Sequence, residues 1–77
     1  MIKMNNKTII SRELGCVYTL DENEDLLYAP LKAGSDEPAR EFDYVDHMSL
    51  LGEEDYILQT IYNVEDKLRS MNGLLNL

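Results

Sequence analysis

The sequence predicts an α+β fold, a small three-stranded antiparallel sheet packed by one long C-terminal helix. Three observations carry that expectation. Two β-rich runs, CVYTL and LLYAPL, flank the acidic stretch DENED, which is the arrangement of a hairpin. Further on, Phe42 and Tyr44 alternate with Glu41 and Asp43, as in a half-buried strand. Finally, Ile57, Ile61, Val64, Leu68 and Met71 recur at steps of four, three, four and three, which places them on one side of a helix.

The first element reads two ways, as a short helix or a strand. Asn6 is placed to cap a helix over residues 7–14, with Gly15 as its left-handed terminator and Ile10 and Leu14 one turn apart. Thr8, Ile9 and Ile10 are all β-branched and suit a strand equally well. The position of Gly15 favours the helix.

The hairpin spans residues 16–20 and 26–31. In its simplest register Leu20 faces Leu26, Tyr18 faces Tyr28 and Val17 faces Ala29. One face then carries Cys16, Tyr18, Leu20, Leu26 and Tyr28, and the other carries Val17, Thr19, Leu27 and Ala29, with Leu31 a further candidate for it. Both faces are largely apolar, whereas a hairpin with one side in water alternates apolar and polar residues. Either both faces are covered or one of them is a binding surface.

The run AGSDEP is a loop by composition, and Pro38 drives Glu37 towards an extended conformation. The third strand covers residues 40–45, with Glu41 and Asp43 on its outer side. The helix is expected at about 50–72. Ser49 stands at its N-cap, although Gly52 delays the start. Glu53, Glu54 and Asp55 sit in its first turns, Lys67 and Arg69 lie near its end, and Gly73 terminates it. The apolar tail 74–77 is expected to dock against the rest of the chain.

Seventy-seven residues are enough for a single small domain, and 44% hydrophobic residues exceeds what a disordered chain carries. Cys16 is the only cysteine, so an internal disulfide is excluded and an intracellular, cytoplasmic setting is expected. No apolar run approaches the ~20 residues of a membrane span, and MIKMNNK lacks the apolar core of a signal peptide. The net charge is −8. The first fifteen residues hold three of the seven basic residues and one of the fifteen acidic ones, so nearly all the acidity falls on the remainder. A surface of that sign repels phosphate backbones, and direct nucleic-acid binding is not expected.

Asp21-x-Asn23-x-Asp25 has the opening rhythm of a calcium-binding EF-hand loop. That chemistry needs glycine at the sixth position and a bidentate glutamate at the twelfth, where this chain has Leu26 and Lys32. Asp and Asn favour turns, and Asn23 suits a left-handed residue, so the stretch is expected to be a hairpin turn whose charges matter little to function. Asp43, Asp46, His47, Glu53 and Glu54 lack the repeated nitrogen or sulfur ligands of a zinc site. No Gly-x-Ser-x-Gly elbow surrounds Ser11, Ser35 or Ser49, there is no glycine-rich phosphate loop, and Cys16 reads as a packed thiol. No catalytic residue, metal ligand or cofactor-binding residue is assigned.

The function expected is that of a non-enzymatic protein acting through protein–protein contact, regulatory or adaptor in kind. The partner is expected to be another protein or a second copy, with a homodimer favoured. Five tyrosines against one phenylalanine and no tryptophan support this, because tyrosine buries a large ring while keeping a hydrated hydroxyl. The residues expected to carry the contact are Val17, Tyr18, Leu27 and Tyr28 of the hairpin, with Tyr62 beside the helix stripe. An alternative is mimicry of DNA by the acidic segment 41–55, which holds six acidic residues and no lysine or arginine. A small enzyme or metal-binding protein is a more distant one.

Overall fold

A computed structural model of the chain describes residues 4–75, with side chains for residues 7–71. The architecture is α+β. Strands β1 (Met4–Ser11), β2 (Cys16–Asp21), β3 (Leu26–Pro30) and β4 (Asp43–Tyr44) form an antiparallel sheet in the order β1-β2-β3-β4. A 3-10 turn (Ser49–Gly52) follows, and then helix α1 (Asp55–Leu75). The sheet therefore has four strands rather than three.

The added strand is the N-terminal segment, which corrects the helix favoured over residues 7–14. Thr8, Ile9 and Ile10 pair with Thr19, Tyr18 and Val17, and the ladder bonds to β2 outweigh a helix of barely two turns. Gly15 is left-handed as its position suggested, with φ +68, but it closes the β1–β2 connection rather than a helix. In that connection the Ser11 hydroxyl accepts the Leu14 amide at 3.3 Å.

The hairpin register is the expected one: Leu20 opposite Leu26, Tyr18 opposite Tyr28, Val17 opposite Ala29. Helix α1 covers one face of it. Tyr18, Leu20 and Leu26 pack with Ile61, Val64 and Leu68 of the helix, and Ile9, Leu14, Cys16, Tyr28, Val45, Leu50 and Ile57 pack against that core. Residues of the opposite face are buried as well, with Leu27 and Ala29 fully inaccessible and Val17 and Thr19 nearly so. Of the two outcomes left open by the apolar alternation, both faces closed is the one observed. Thr19 is satisfied there, donating its hydroxyl hydrogen to the Lys7 carbonyl at 2.7 Å.

The strand expected over 40–45 is reduced to two residues. Tyr44 pairs with Leu27 and Asp43 with Tyr28, and the Val45 amide donates to the Leu26 carbonyl. Tyr44 does not enter the core as its alternation implied. It is half exposed, and Val45 packs inward instead. Residues ahead of β4 loop outward, held by the Leu31–Pro38 bridge, by the Ala39 amide on the Pro30 carbonyl at 2.7 Å and by the Arg12–Asp36 ion pair.

The helix begins later than expected. The Ser49 hydroxyl donates to the Asp46 carbonyl at 2.8 Å and so does not cap a helix. Glu53 is extended (φ −87°, ψ 164°), which separates the 3-10 turn from α1. The Glu54 carbonyl then accepts the amides of Ile57 and Leu58 to start α1. At the other end the helix runs through Gly73 to Leu75, since an interior glycine lowers helix stability by only ~1 kcal/mol and does not by itself end a helix. The expected docking of the tail 74–77 falls outside the described side chains.

Candidate partner-binding surface

The acidic turn shows how local chemistry positions the surrounding surface. Asp21 is buried although it carries a charge. Its Oδ1 accepts the amides of Asn23 and Asp25, each at 2.9 Å, and its Oδ2 accepts the Tyr44 hydroxyl at 2.9 Å. The Asp25 amide contributes most to holding the Asp21 carboxyl below its usual range; desolvation opposes this, and the Tyr44 hydroxyl and Asn23 amide add to it. The Tyr44 hydroxyl is correspondingly shifted up, first by its bond to Asp21 and then by desolvation. The left-handed residue of the turn is Glu24, at φ 65°, and not Asn23. The aspartate whose spacing resembles a metal loop thus satisfies backbone amides. Asp21 is a structural residue of the turn, beyond the turn propensity for which the sequence selects it.

A second polar cluster fixes the segment between β4 and α1. Glu65, buried on the helix, is bonded through Oε2 to His47 Nε2 at 2.8 Å and through Oε1 to Arg69 Nη1 at 3.0 Å. Arg69 Nη2 also donates to the Glu24 carbonyl at 3.3 Å. One helical carboxylate therefore links the 3-10 segment, by way of His47, to the β2–β3 turn. Among the described residues no group of three or more His, Cys, Asp or Glu side chains is arranged to hold a metal ion. No helix among them is long and apolar enough to cross a membrane.

The five residues expected to meet a partner separate into two groups. Val17, Tyr18 and Leu27 are buried inside the chain, at 3%, 3% and 0% exposure. The Tyr18 hydroxyl is shifted up, chiefly by burial and further by Cys16 and Tyr28 beside it. Tyr28 is half buried, with the Arg40 guanidinium 5.8 Å above its ring. Tyr62 is exposed on the helix. The structure does not bring Tyr28 and Tyr62 together with the other three on one accessible face.

The apolar surface lies elsewhere. Met48 is 76% exposed and Leu51 67%, and Tyr44 and Tyr56, which flank them in the sequence, are each more than half exposed. The Leu51 amide reaches the Met48 carbonyl at 3.4 Å, and a 3-10 turn sets residues three apart above one another, so Met48 and Leu51 share one side. Beside them lies a groove of about 240 Å³, lined by Tyr28, Val45, Leu50 and Ile61 with Asp46 and Ser49. The signal for this surface is the run HMSLLGEED, in which apolar residues three apart sit directly against unbroken acidity. The same spacing suits a helix start, which is how Leu50 and Leu51 are naturally read. Neither a protein-family model, nor a curated protein, nor a solved structure matches this chain, so the surface stands on its own geometry.

Proposed function

We propose that this chain is a non-enzymatic protein-interaction module, regulatory or adaptor in kind, that works by offering an apolar surface to another protein. The observation that carries this reading is the exposure of Met48 and Leu51 together on one short turn. Single apolar residues at a surface need no explanation, but a contiguous set does. Covering a methionine or leucine side chain gains ~1.5–3 kcal/mol, so this pair alone is a substantial anchor. Methionine suits such a role because its flexible thioether adapts to a partner's contour.

DNA mimicry is favoured less by the same residues. A phosphate backbone has no counterpart to a protruding methionine and leucine, and an imitation of it has no use for them. Self-association through this surface sets like charges against one another, since the segment 41–55 has six acidic residues and no lysine or arginine. A different chain is the better partner.

A photo-crosslinking residue placed in turn at Met48, Leu51, Tyr56 and Tyr62, in the source cell, tests the reading. One adduct of reproducible mass from at least one position is the expected result. Irradiation that yields uncoupled chain at all four positions, for a protein also monomeric at high concentration, removes it.

A further inference from the structure

We propose that the groove beside the 3-10 turn docks a cationic segment of the partner, which inserts one bulky apolar side chain between Tyr28, Val45, Leu50 and Ile61 and covers Met48 and Leu51. This inference rests on the interaction reading above and gives that surface an occupant. Its size is the first argument. At about 240 Å³ the groove is smaller than the ~300–1,000 Å³ of pockets that enclose small-molecule ligands, and it suits one large side chain.

Charge is the second argument. Arg12, Lys32, Arg40 and Arg69 are each paired with an acidic residue of this chain. In the segment that supplies one side of the groove the balance is reversed. Asp43 shares Arg40, while Glu41, Asp46, Glu53, Glu54 and Asp55 take part in no ion pair among the described residues. Asp46 lines the groove itself, and its Oδ1 already accepts the Met48 amide at 3.0 Å, which holds the carboxylate in place. Asp46 sets an uncompensated carboxylate in the groove wall, and the segment 41–55 that supplies this wall holds six acidic residues and no lysine or arginine. The Arg40 guanidinium over the Tyr28 ring is already paired with Asp43, so the balance favours a ligand apolar at its centre and basic around it. It rejects nucleic acid and anionic membrane by repulsion, and it disfavours a second copy because a two-fold axis would face acid with acid.

The chain has no tryptophan, so the fluorescence of a tryptophan-bearing peptide reports binding directly. Three synthetic 18-residue peptides are the probes. One has tryptophan and leucine on one helical face and lysine and arginine on the other. The second keeps the apolar face and replaces every basic residue with glutamate. The third keeps the basic residues and replaces tryptophan and leucine with serine and one reporter tyrosine, followed by anisotropy of an attached dye. The first is expected to bind at least tenfold more tightly than the other two. The double variant Met48→Ser/Leu51→Ser, at two exposed positions, is expected to weaken it at least tenfold while melting like the wild type. The double variant Asp46→Asn/Glu53→Gln is expected to weaken it several-fold and to flatten its salt dependence.

Equal binding of the first and third peptides overturns the proposal, because charge alone then suffices. Wild-type affinity in Met48→Ser/Leu51→Ser overturns it as well. A crosslinked partner found only at Tyr62 removes the groove as its site but leaves the interaction reading standing, whereas absence of any adduct at all four positions, for a protein also monomeric at high concentration, removes both.

Discussion

Tyr44 donates its hydroxyl hydrogen to Asp21 Oδ2 at 2.9 Å, so the last strand of the sheet is fastened to the side chain that closes the β2–β3 turn. Oδ1 of the same carboxylate takes two backbone amides of the turn. Asp21→Ala removes two acceptor oxygens and the three hydrogen bonds they take at a buried position, and it leaves two amides without a side-chain partner. The expected result is a fall in thermal midpoint on the order of 5–10 °C. Tyr44→Phe removes one bond at a half-exposed position and is expected to lower the midpoint by roughly half as much or less. Asp21→Asn keeps an acceptor for the amides and is expected to fall between the two. Thermal unfolding followed by circular dichroism ranks the three, and an Asp21→Ala protein as stable as wild type defeats the structural role.

The same contact has a defined pH window. Folding lowers the Asp21 carboxyl pKa, so its contribution is present above the unfolded value of ~3.9 and is lost as pH falls through the folded value. Folding raises the Tyr44 hydroxyl pKa, so its contribution is present below the unfolded value of ~10 and is lost as pH rises through the folded one. The stability difference between wild type and Tyr44→Phe is therefore expected to be flat from about pH 5 to pH 9 and to narrow at both ends. Urea titrations of both proteins at several pH values measure that difference, and a difference that grows in acid contradicts the assignment.

How much of this was legible in the sequence depends on what each residue's pattern leaves undetermined. The hairpin register was legible because a five-residue acidic connection and two β-rich runs allow one simple pairing, and Leu20 opposite Leu26 follows from it. The N-terminal strand was not, since Thr8, Ile9 and Ile10 suit a strand while Gly15 suits either a helix end or a tight connection, and only pairing with β2 decides. Tyr44 shows the limit of alternation. Its spacing from Phe42 implies burial, but a tyrosine finds a good position wherever its hydroxyl meets a carboxylate. The exposed turn was hidden for a related reason. Met48 and Leu51 have a spacing shared by helix and 3-10 turn, and the extended Glu53 that separates them from α1 leaves no mark in composition.

Glu24 occupies the left-handed region at φ 65°, where a side chain with a β-carbon is strained by about 1 kcal/mol. Asp21 dictates this, because its Oδ1 binds the amides of residues 23 and 25 and the chain must turn back between them. The Arg69 bond to this turn uses the Glu24 carbonyl, which any residue supplies. Glu24→Gly is accordingly expected to be more stable than Glu24→Ala by ~0.5–1 kcal/mol, since both variants give up the glutamate side chain and only the alanine keeps the strain. Chemical denaturation with an unchanged m-value is the check, and a Glu24→Gly protein no more stable than Glu24→Ala rules out strain at that residue.

Leu27 and Leu68 sit on opposite sides of the sheet, and both are essentially inaccessible. Leu68 belongs to the core beneath the helix, while Leu27 points to the other face of the hairpin. Leu27→Ala and Leu68→Ala are therefore each expected to lose ~2–5 kcal/mol. That is a large share of the roughly 4–12 kcal/mol available to a chain of this length. Urea unfolding of both variants measures it, and a Leu27→Ala loss below ~1 kcal/mol shows an open second face.

Glu65 is the remaining point where fold and surface meet. Its carboxylate holds His47, which ends two residues before the 3-10 turn, and Arg69, which reaches the β2–β3 turn. His47 and Arg69 are each nearly half exposed, so both regain water if Glu65 is removed. Removing one partner of a buried ion pair is costly when it strands the other charge away from water. Here neither His47 nor Arg69 is stranded, so an apolar residue of similar volume replaces the carboxylate at small cost and a smaller one does not. Glu65→Leu is thus expected to stay within about 0.5 kcal/mol of wild type, and Glu65→Ala to lose ~1–2 kcal/mol through the cavity and the lost bonds. Either change releases His47, whose carbonyl accepts the Leu50 amide at 3.2 Å. Hydrogen exchange at Leu50 and Glu53 is expected to accelerate in both variants, more than at Leu20 or Leu26. Acceleration spread evenly over the chain places the loss in global stability instead. Acceleration confined to the turn makes Glu65 the residue that presents Met48 and Leu51, and peptide binding in Glu65→Leu then weakens although the fold is intact.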